Sequence, residues 1–250
     1  MSQPEKDHSL NGEGLFPRMY SRAGTGRGAS DRVISTLLTR IFEGQLRPGE
    51  RINANRLAKE LEVSVVPVRE ALHLLAGEGV IELLPLKGAR VRTLSSDEVA
   101  QWWEIFRAVC SVGIRAAAEQ VARDPSKLNV IKSAADRVRN SESGTPQEIL
   151  ISLIELHADL HAAAETLFLD DALRRLQVTF WASFLPEYVP FDVYGKVYVR
   201  NYLRVADSIF AGDGEGAVAI WNYHVSWSIA VIKGARPDPD LPWSPGPGQV

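Results

Sequence analysis

From Ser64 the chain runs Val65-Val66-Pro67-Val68-Arg69-Glu70-Ala71-Leu72, and few backbones accept that order. Ser64 suits the N-cap of a helix, and Pro67 falls early enough that its missing N–H is one the first turn leaves unpaired anyway. Val68, Ala71, Leu72 and Leu75 keep the i, i+3, i+4, i+7 spacing of a buried stripe. Val65, Val66, Arg69, Glu70 and His73 fall on the opposite face. So two-faced a helix needs a partner to cover its apolar side, and its flanks must supply one.

Upstream, Ile34, Leu37, Leu38 and Ile41 mark a helix over about 30–43 that Gly44 ends. Leu46-Arg47-Pro48-Gly49-Glu50-Arg51-Ile52 reads as a turn, since Pro-Gly supplies the fixed and the positive φ of a type II turn, with a brief extended piece at Arg51-Ile52. Asn53 then caps a second helix that turns Leu57, Ala58 and Leu61 inward. Two short helices with a tight connection make a helix-turn-helix. Downstream, Val80–Leu84 and Ala89–Arg92 flank Pro85-Leu86-Lys87-Gly88, a hairpin with glycine near its turn. That hairpin is a wing. A buried-backed helix with arginine in its N-terminal half is the form that docks in a DNA major groove, and Lys87, Arg90 and Arg92 lie where a wing reaches backbone or minor groove.

Charge distribution agrees with that reading. The 250 residues carry a formal net charge of −3, yet Arg18 to Arg92 hold 13 Lys+Arg against 8 Asp+Glu, a balance of +5 that leaves −8 for the remainder. A basic contacting module joined to an acidic partner is the pattern expected of a DNA-binding chain. With 45% hydrophobic residues there is material for real cores, and the length favours two domains. The single Cys110 excludes an internal disulfide and any multi-cysteine zinc site. No run reaches the roughly 18 apolar residues of a membrane span, so the expected location is the cytoplasm.

Residues 1–28 mix Gly, Ser, Pro and charge without periodicity and read as a flexible arm, whose Arg18, Arg22 and Arg27 can touch phosphates. The winged helix-turn-helix, three helices plus the β-hairpin, occupies 29–94. Ser95-Ser96-Asp97-Glu98 opens a helical half over 95–234, with helices expected at 97–122, 126–141, 146–165, 169–184, 195–211 and 214–233, the last capped by Asp213. Residues 235–250 are rich in Pro and Gly and read as a tail. The fold class is therefore mainly α: a winged helix-turn-helix followed by an all-α helical bundle.

The ordered set Leu46–Ile52, Leu57–Leu61, Pro67–Leu72, Gly79-Val80-Ile81 and Lys87-Gly88-Ala89 resembles the winged-helix domain of the GntR superfamily of bacterial transcription regulators. The resemblance implies DNA contact by Arg56 and Arg69. The family's usual Ser-Arg-Thr-Pro is Ser64-Val65-Val66-Pro67 here, so an apolar pair able to meet a thymine methyl replaces a guanidinium and a hydroxyl. With Ser64, His73, Lys87 and Arg90, these residues make up the expected DNA-binding set.

The helical half resembles the FCD effector domain of the FadR-type subfamily. That motif places an Asp four residues before a His on one helix, then a His on each of the last two. His161 and His224 match the first and last His, His157 stands at the Asp position, and Tyr202 at the middle His. His157 and His161, four apart on one helix face, can chelate one metal, and His224 brings the imidazoles to three. Three neutral imidazoles suit zinc or nickel and leave positions for water or a ligand carboxylate. The bland alternative is three histidines that merely pack in a core. Arg107 matches an Arg on the family's first effector-domain helix and can clamp a carboxylate, the Glu usual three residues later being Cys110 here. Tyr202 can hydrogen-bond a ligand, and Trp221 and Trp227, three residues either side of His224, can line its cavity.

Together these readings imply a ligand-responsive transcriptional regulator that is not an enzyme. It is expected to be a homodimeric repressor on a pseudo-palindromic operator, responding to a small carboxylate, with a divalent metal, zinc or nickel, as cofactor. The alternatives are a metal-dependent enzyme using the three histidines and a DNA-binding protein whose helical half only dimerises.

Overall fold

The computed structural model describes residues 28–85, 88–166, 168–176 and 184–242. The N-terminal arm with Arg18, Arg22 and Arg27, Lys87, Trp181 and the tail beyond residue 242 lie outside the described residues. The chain divides into two compact units, Met1–Arg92 and Thr93–Val250.

In the first unit, α1 (Ala29–Phe42) buries Val33, Leu37, Leu38 and Ile41. Val33 takes the place expected of Ile34, which is half-buried, so the stripe begins one residue earlier. The Arg47–Glu50 turn closes with a 3.0 Å bond from Glu50 N–H to the Arg47 carbonyl, and Gly49 at φ +77° supplies the left-handed corner. β1 (Arg51–Ile52) follows. The Asn53 side chain then accepts from the N–H groups of Asn55 and Arg56, each at 3.0 Å, to start α2 (Ala54–Glu60). An ion pair of 2.7 Å between Arg40 and Glu60 ties α1 to α2. In α3 (Val65–Gly77), Val68, Ala71, Leu72 and Leu75 are each 4% exposed or less, as the periodicity requires. Ser64 does occupy the N-cap, but its side chain makes no capping bond.

β2 (Ile81–Leu84) and β3 (Gly88–Val91) form the wing. It is not a freestanding hairpin. β1 pairs antiparallel with β3, Ile52 opposite Ala89 and Arg51 opposite Arg90, which gives a three-stranded sheet of order β1-β3-β2. Alternation along β3 buries Ala89 and Val91 and turns Arg90 outward.

The second unit is helical. α4 (Ser96–Arg123) starts in a capping box between Ser95 and Glu98. A 3₁₀ turn over Pro125–Lys127 leads into α5 (Leu128–Asn140). α6 (Pro146–Ala164) opens on a second capping box, Thr145 with Glu148, and has Pro in its first turn. Then come α7 (Leu169–Arg175), α8 (Leu185–Tyr188), α9 (Phe191–Phe210) and α10 (Gly214–Ile232). The Asp213 carboxylate accepts from Gly216 N–H at 2.8 Å to cap α10. Of the helix expected over 169–184, the described residues show α7 over Leu169–Arg175; residues 177–183 lie outside them, and α8 begins at Leu185. α9 starts at Phe191, four residues before its expected start, because Pro190 with its fixed φ stands at its N-cap.

α4 is the central element, packed along α10 on one flank and α6 on another, with α9 against α10 and α5. Arg137 of α5 bridges to Glu155 and Asp159 of α6 at 2.7 and 2.8 Å. The first residues of the expected tail are anchored on α9: Tyr194 hydroxyl donates to the Pro237 carbonyl and Arg200 to that of Pro239, both at 3.1 Å. Among the described residues, no helix is long and apolar enough to cross a membrane.

Candidate functional site

Two places concentrate chemistry, one in each unit. In the first, the outer face of α3 presents Arg69, Glu70 and His73 exposed and Val66 at 64% exposure, with Val65 half-buried beside them. Arg56 is exposed on α2, and so is Ser64, whose hydroxyl the helix does not use. A concavity of about 690 Å³ lies between the start of α2, the α3 face and the sheet, and Arg51, Asn53, Asn55, Arg69 and His73 reach its wall. Arg51 and Asn55 were not foreseen as part of this surface. β1–β3 pairing brings Arg51 opposite Arg90, a register that two residues of sequence do not announce. Arg90 itself is drawn along the strand by Glu82, its cross-strand neighbour, at 2.6 Å. Its charge is therefore partly spent within the wing.

In the second unit, the histidines are deep. His157 is 6% exposed, His161 4% and His224 0%. His157 and His161 share one face of α6, their rings stacked 5.7 Å apart. The group facing them is Cys110 of α4, wholly buried, its Sγ 3.9 Å from His157 Nδ1 and 3.6 Å from His161 Nε2. These three side chains offer donor atoms that all lie within 4.8 Å of one another. His224 stands apart from that group: its Nδ1 faces the Asn201 amide at 3.3 Å and its Nε2 the Ser228 hydroxyl at 3.5 Å. The third donor brought to the α6 histidines is thus Cys110, where the sequence reading expected His224.

Glycine makes the approach possible. A Cβ on Gly113, one turn beyond Cys110, would lie 2.2 Å from His161 Nδ1 and 2.9 Å from a Leu169 methyl. Without it the imidazole rests against the α4 backbone. His161 Nδ1 is buried with no hydrogen-bond partner. Tyr202 of α9 places its hydroxyl 3.0 Å from His157 Nε2, on a histidine and not on an open ligand site. Phe106, Trp221 and Tyr202 surround the His157 ring with centroids 5.2, 4.9 and 5.1 Å away. Trp221 and Trp227 flank His224 at 5.7 and 6.2 Å, both fully buried.

Burial dictates the charge state. It holds His161 down at about 4 and His224 at about 3, and it pushes His157 well below the ordinary imidazole value, with repulsion from His161 and His224 adding to the effect. The same desolvation raises the Cys110 thiol and the Tyr202 phenol. At neutral pH the cluster is therefore uncharged: lone pairs on neutral imidazoles beside a protonated thiol. That donor set fits a borderline-soft divalent metal and suits magnesium or calcium poorly.

Arg107 lies on α4, the first helix of the second unit, as expected. Its guanidinium is paired with Glu104 one turn back on α4 and donates to the Ser226 hydroxyl of α10 at 3.3 Å. With Cys110 at the position of the family's usual Glu, the ion pair of Arg107 is made with Glu104 instead. The Arg107 carbonyl accepts the Trp221 indole N–H at 3.2 Å, which links this half-buried seam to the aromatic box around His157.

Two family models match the chain: bacterial regulatory proteins of the gntR family over residues 29–91, and the FCD domain over residues 100–226. The gluconate operon transcriptional repressor of Bacillus licheniformis is 31% identical over 142 residues, 54% of this chain and 56% of that protein. A probable D-xylose utilization operon transcriptional repressor of Paenarthrobacter nicotinovorans is 26% identical over 207 residues, 79% of this chain and 85% of its own. The chain spans about half the length of the first of these curated relatives, which are transcriptional regulators by name and not enzymes. Among solved structures, a putative GntR transcriptional regulator from Rhodococcus sp. RHA1 superimposes with a TM-score of 0.71 at 21% identity, over 83% of this chain and 99% of that one. E. coli McbR/YncC gives 0.65 at 19%, over 82% and 96%. At such identities the likeness shows the fold.

Proposed function

We infer the function from one premise: the chain belongs to the gntR family of bacterial regulatory proteins and carries an FCD domain. It acts as a ligand-responsive transcriptional repressor in the cytoplasm, binding double-stranded DNA through α3 as a homodimer and releasing or tightening on a small carboxylate metabolite. The observation that carries this reading is the α3 face, where an exposed Arg69 and a 64% exposed Val66 stand on a helix whose other side is fully buried. A guanidinium there pairs with guanine O6 and N7, and a valine meets a thymine methyl. Arg56, Ser64, Val65, His73 and Arg90 surround that core, and Lys87, outside the described residues, completes the set expected from the sequence.

One recognition helix reads too few base pairs for useful specificity, so a two-fold dimer on a pseudo-palindrome is required. Ile105 and Val112, 54% and 50% exposed and seven residues apart on α4, supply an apolar stripe on which a second copy can close. The effector is read where α4, α9 and α10 meet. There Arg107, Tyr202 and Trp221 connect the surface to the histidines, and an incoming carboxylate competes with Glu104 for the Arg107 guanidinium. The gluconate operon repressor similar to this chain is named for a sugar acid, a member of that ligand class. A divalent metal, zinc or nickel, belongs at the α6 histidines, where it would supply a Lewis-acidic anchor for an anion. A ligand that binds one dimer arrangement better than the other then biases the spacing of the two α3 helices.

Gel shifts with fragments of the adjoining promoter region test the reading. Salt-sensitive binding is expected, abolished by Arg69→Ala and redirected to a different preferred operator by Val65→Arg. Wild-type binding by Arg69→Ala, or no specific binding with or without metabolites, would overturn it.

A further inference from the structure

The metal part of that reading leaves its ligand set open, and the geometry narrows it. We propose that Cys110, His157 and His161 form a zinc site of one thiolate and two imidazoles, with His224 outside the ligand set and Tyr202 as the group that orients His157. The first support is distance. Tetrahedral zinc, with Zn–S about 2.3 Å and Zn–N about 2.0–2.1 Å, holds a sulfur and an imidazole nitrogen about 3.6 Å apart. Cys110 Sγ lies 3.6 Å from His161 Nε2 and 3.9 Å from His157 Nδ1, so the sulfur stands close to its bonding separation from each imidazole before any ion arrives, and all three donors lie within 4.8 Å of one another.

Lone-pair direction is the second support. Each neutral imidazole carries one N–H and one lone pair. In the tautomer whose Nε2–H donates to the Tyr202 oxygen, 3.0 Å away, the His157 lone pair sits on Nδ1 and faces Cys110. This is the outer partner that metal-bound histidines ordinarily have. His161 Nε2 points at the same sulfur, while its Nδ1 has no partner and is sealed against Gly113. In that arrangement no hydrogen bond holds the His161 ring in place from behind, and a bond at Nε2 is what fixes it.

His224 is excluded by its own contacts. Asn201 and Ser228 already face both ring nitrogens, and Tyr198, Tyr202 and Trp221 pack around the ring at 4.6, 5.1 and 5.7 Å. Replacing an imidazole by a thiolate shifts preference toward thiophilic ions, so zinc is favoured over manganese or magnesium, and the tetrahedral spacing favours it over nickel. On binding, the Cys110 S–H bond breaks, a Zn–S bond forms, and the proton leaves to solvent.

Cobalt(II) substitution tests this directly in the full chain under reducing conditions. Cys110 is the sole cysteine of the sequence, so a thiolate-to-cobalt charge-transfer band has one possible source. The expected result is about one cobalt per chain with that band and intense tetrahedral visible bands, displaced by zinc. Cys110→Ser should lose the charge-transfer band and at least about tenfold in zinc affinity, whereas His224→Gln keeps the band. Cobalt bound without the band would overturn the thiolate assignment and leave the metal reading standing; no binding of zinc, cobalt or nickel would overturn both. Because the wild-type spectrum alone decides the matter, a Cys110 variant that fails to fold does not weaken the test.

Discussion

Lowering the pH from 8 to 5 in the presence of a chelator should destabilise the helical unit by about 4 kcal/mol through two histidines alone. An unfolded histidine titrates near 6.5, whereas burial holds His161 at about 4 and His224 at about 3. The depressed folded values fix the sign. Between these pH limits the unfolded chain binds protons that the folded chain refuses, so stability is full above 6.5 and falls as the medium acidifies. At pH 5 each histidine is about 1.5 pH units below its unfolded value and still neutral when folded, a cost of about 2 kcal/mol apiece. His157, depressed by the same burial, adds in the same direction. Glu60, Asp124 and Glu215 are lowered by their partners Arg40, Ser126 and Arg115, and their effect begins only below about 4.5, outside this window. All six tryptophans lie beyond Arg92, so fluorescence-detected urea unfolding at pH 8, 7, 6 and 5 reads the helical unit selectively. A domain is stable by only about 5–15 kcal/mol, so the midpoint should move sharply. A stability flat between pH 8 and pH 5 would refute the claim that these rings are held neutral by the fold.

Four further substitutions test local packing and capping. Gly113→Ala would gain up to about 1 kcal/mol of helix propensity yet drive a methyl to 2.2 Å from His161 Nδ1. A net loss of about 1–3 kcal/mol is expected by urea unfolding, along with loss of cobalt binding; Gly195→Ala, whose Cβ meets a terminal methyl of Ile149 at 2.8 Å, should cost less, and a stabilised Gly113→Ala would contradict the geometry. In the first unit, Asn53→Ala removes the acceptor of two backbone N–H groups and should cost about 1 kcal/mol. Ser64→Ala should change stability little, because its hydroxyl caps nothing, a contrast that far-ultraviolet circular dichroism of the melting chain can read.

What was legible in the sequence was whatever one helix face or one turn determines by itself. The α3 stripe, the Pro48-Gly49 turn, the Asn53 cap and the Ser95–Glu98 box are each set within four to seven residues, where spacing and side-chain type act directly. The i, i+4 pair His157–His161 was readable for the same reason. Its third partner was not, because Cys110 arrives from a helix 47 residues earlier, and nothing local to α6 says which side chain will face it. One signal was present: Cys110 and Gly113 fall on the apolar face of α4 with Phe106 and Ala117, and a glycine on a buried helix face marks the close approach of something large. The ion pair of Arg107 is set within one turn as well, since Glu104 stands three residues back on the same helix. The extended piece at Arg51-Ile52 was legible but its pairing was not, because two residues carry no periodicity and only the β3 register shows that Arg51 belongs beside Arg90.

That third strand alters the mechanics of the reading head. A lone hairpin pivots on its base, but here Ile52 is bonded into the sheet and the next residue, Asn53, begins α2. Gly88, where β3 begins, sits so close to the Ile52 carbonyl that a Cβ there would lie 3.0 Å away. Wing and helices are therefore welded at a single joint and swing as one piece. A shift of one residue at Arg51–Asn53 would turn Ile52 to solvent and detach the cap together. A joint of three residues thus couples the orientation of the sheet to that of α2.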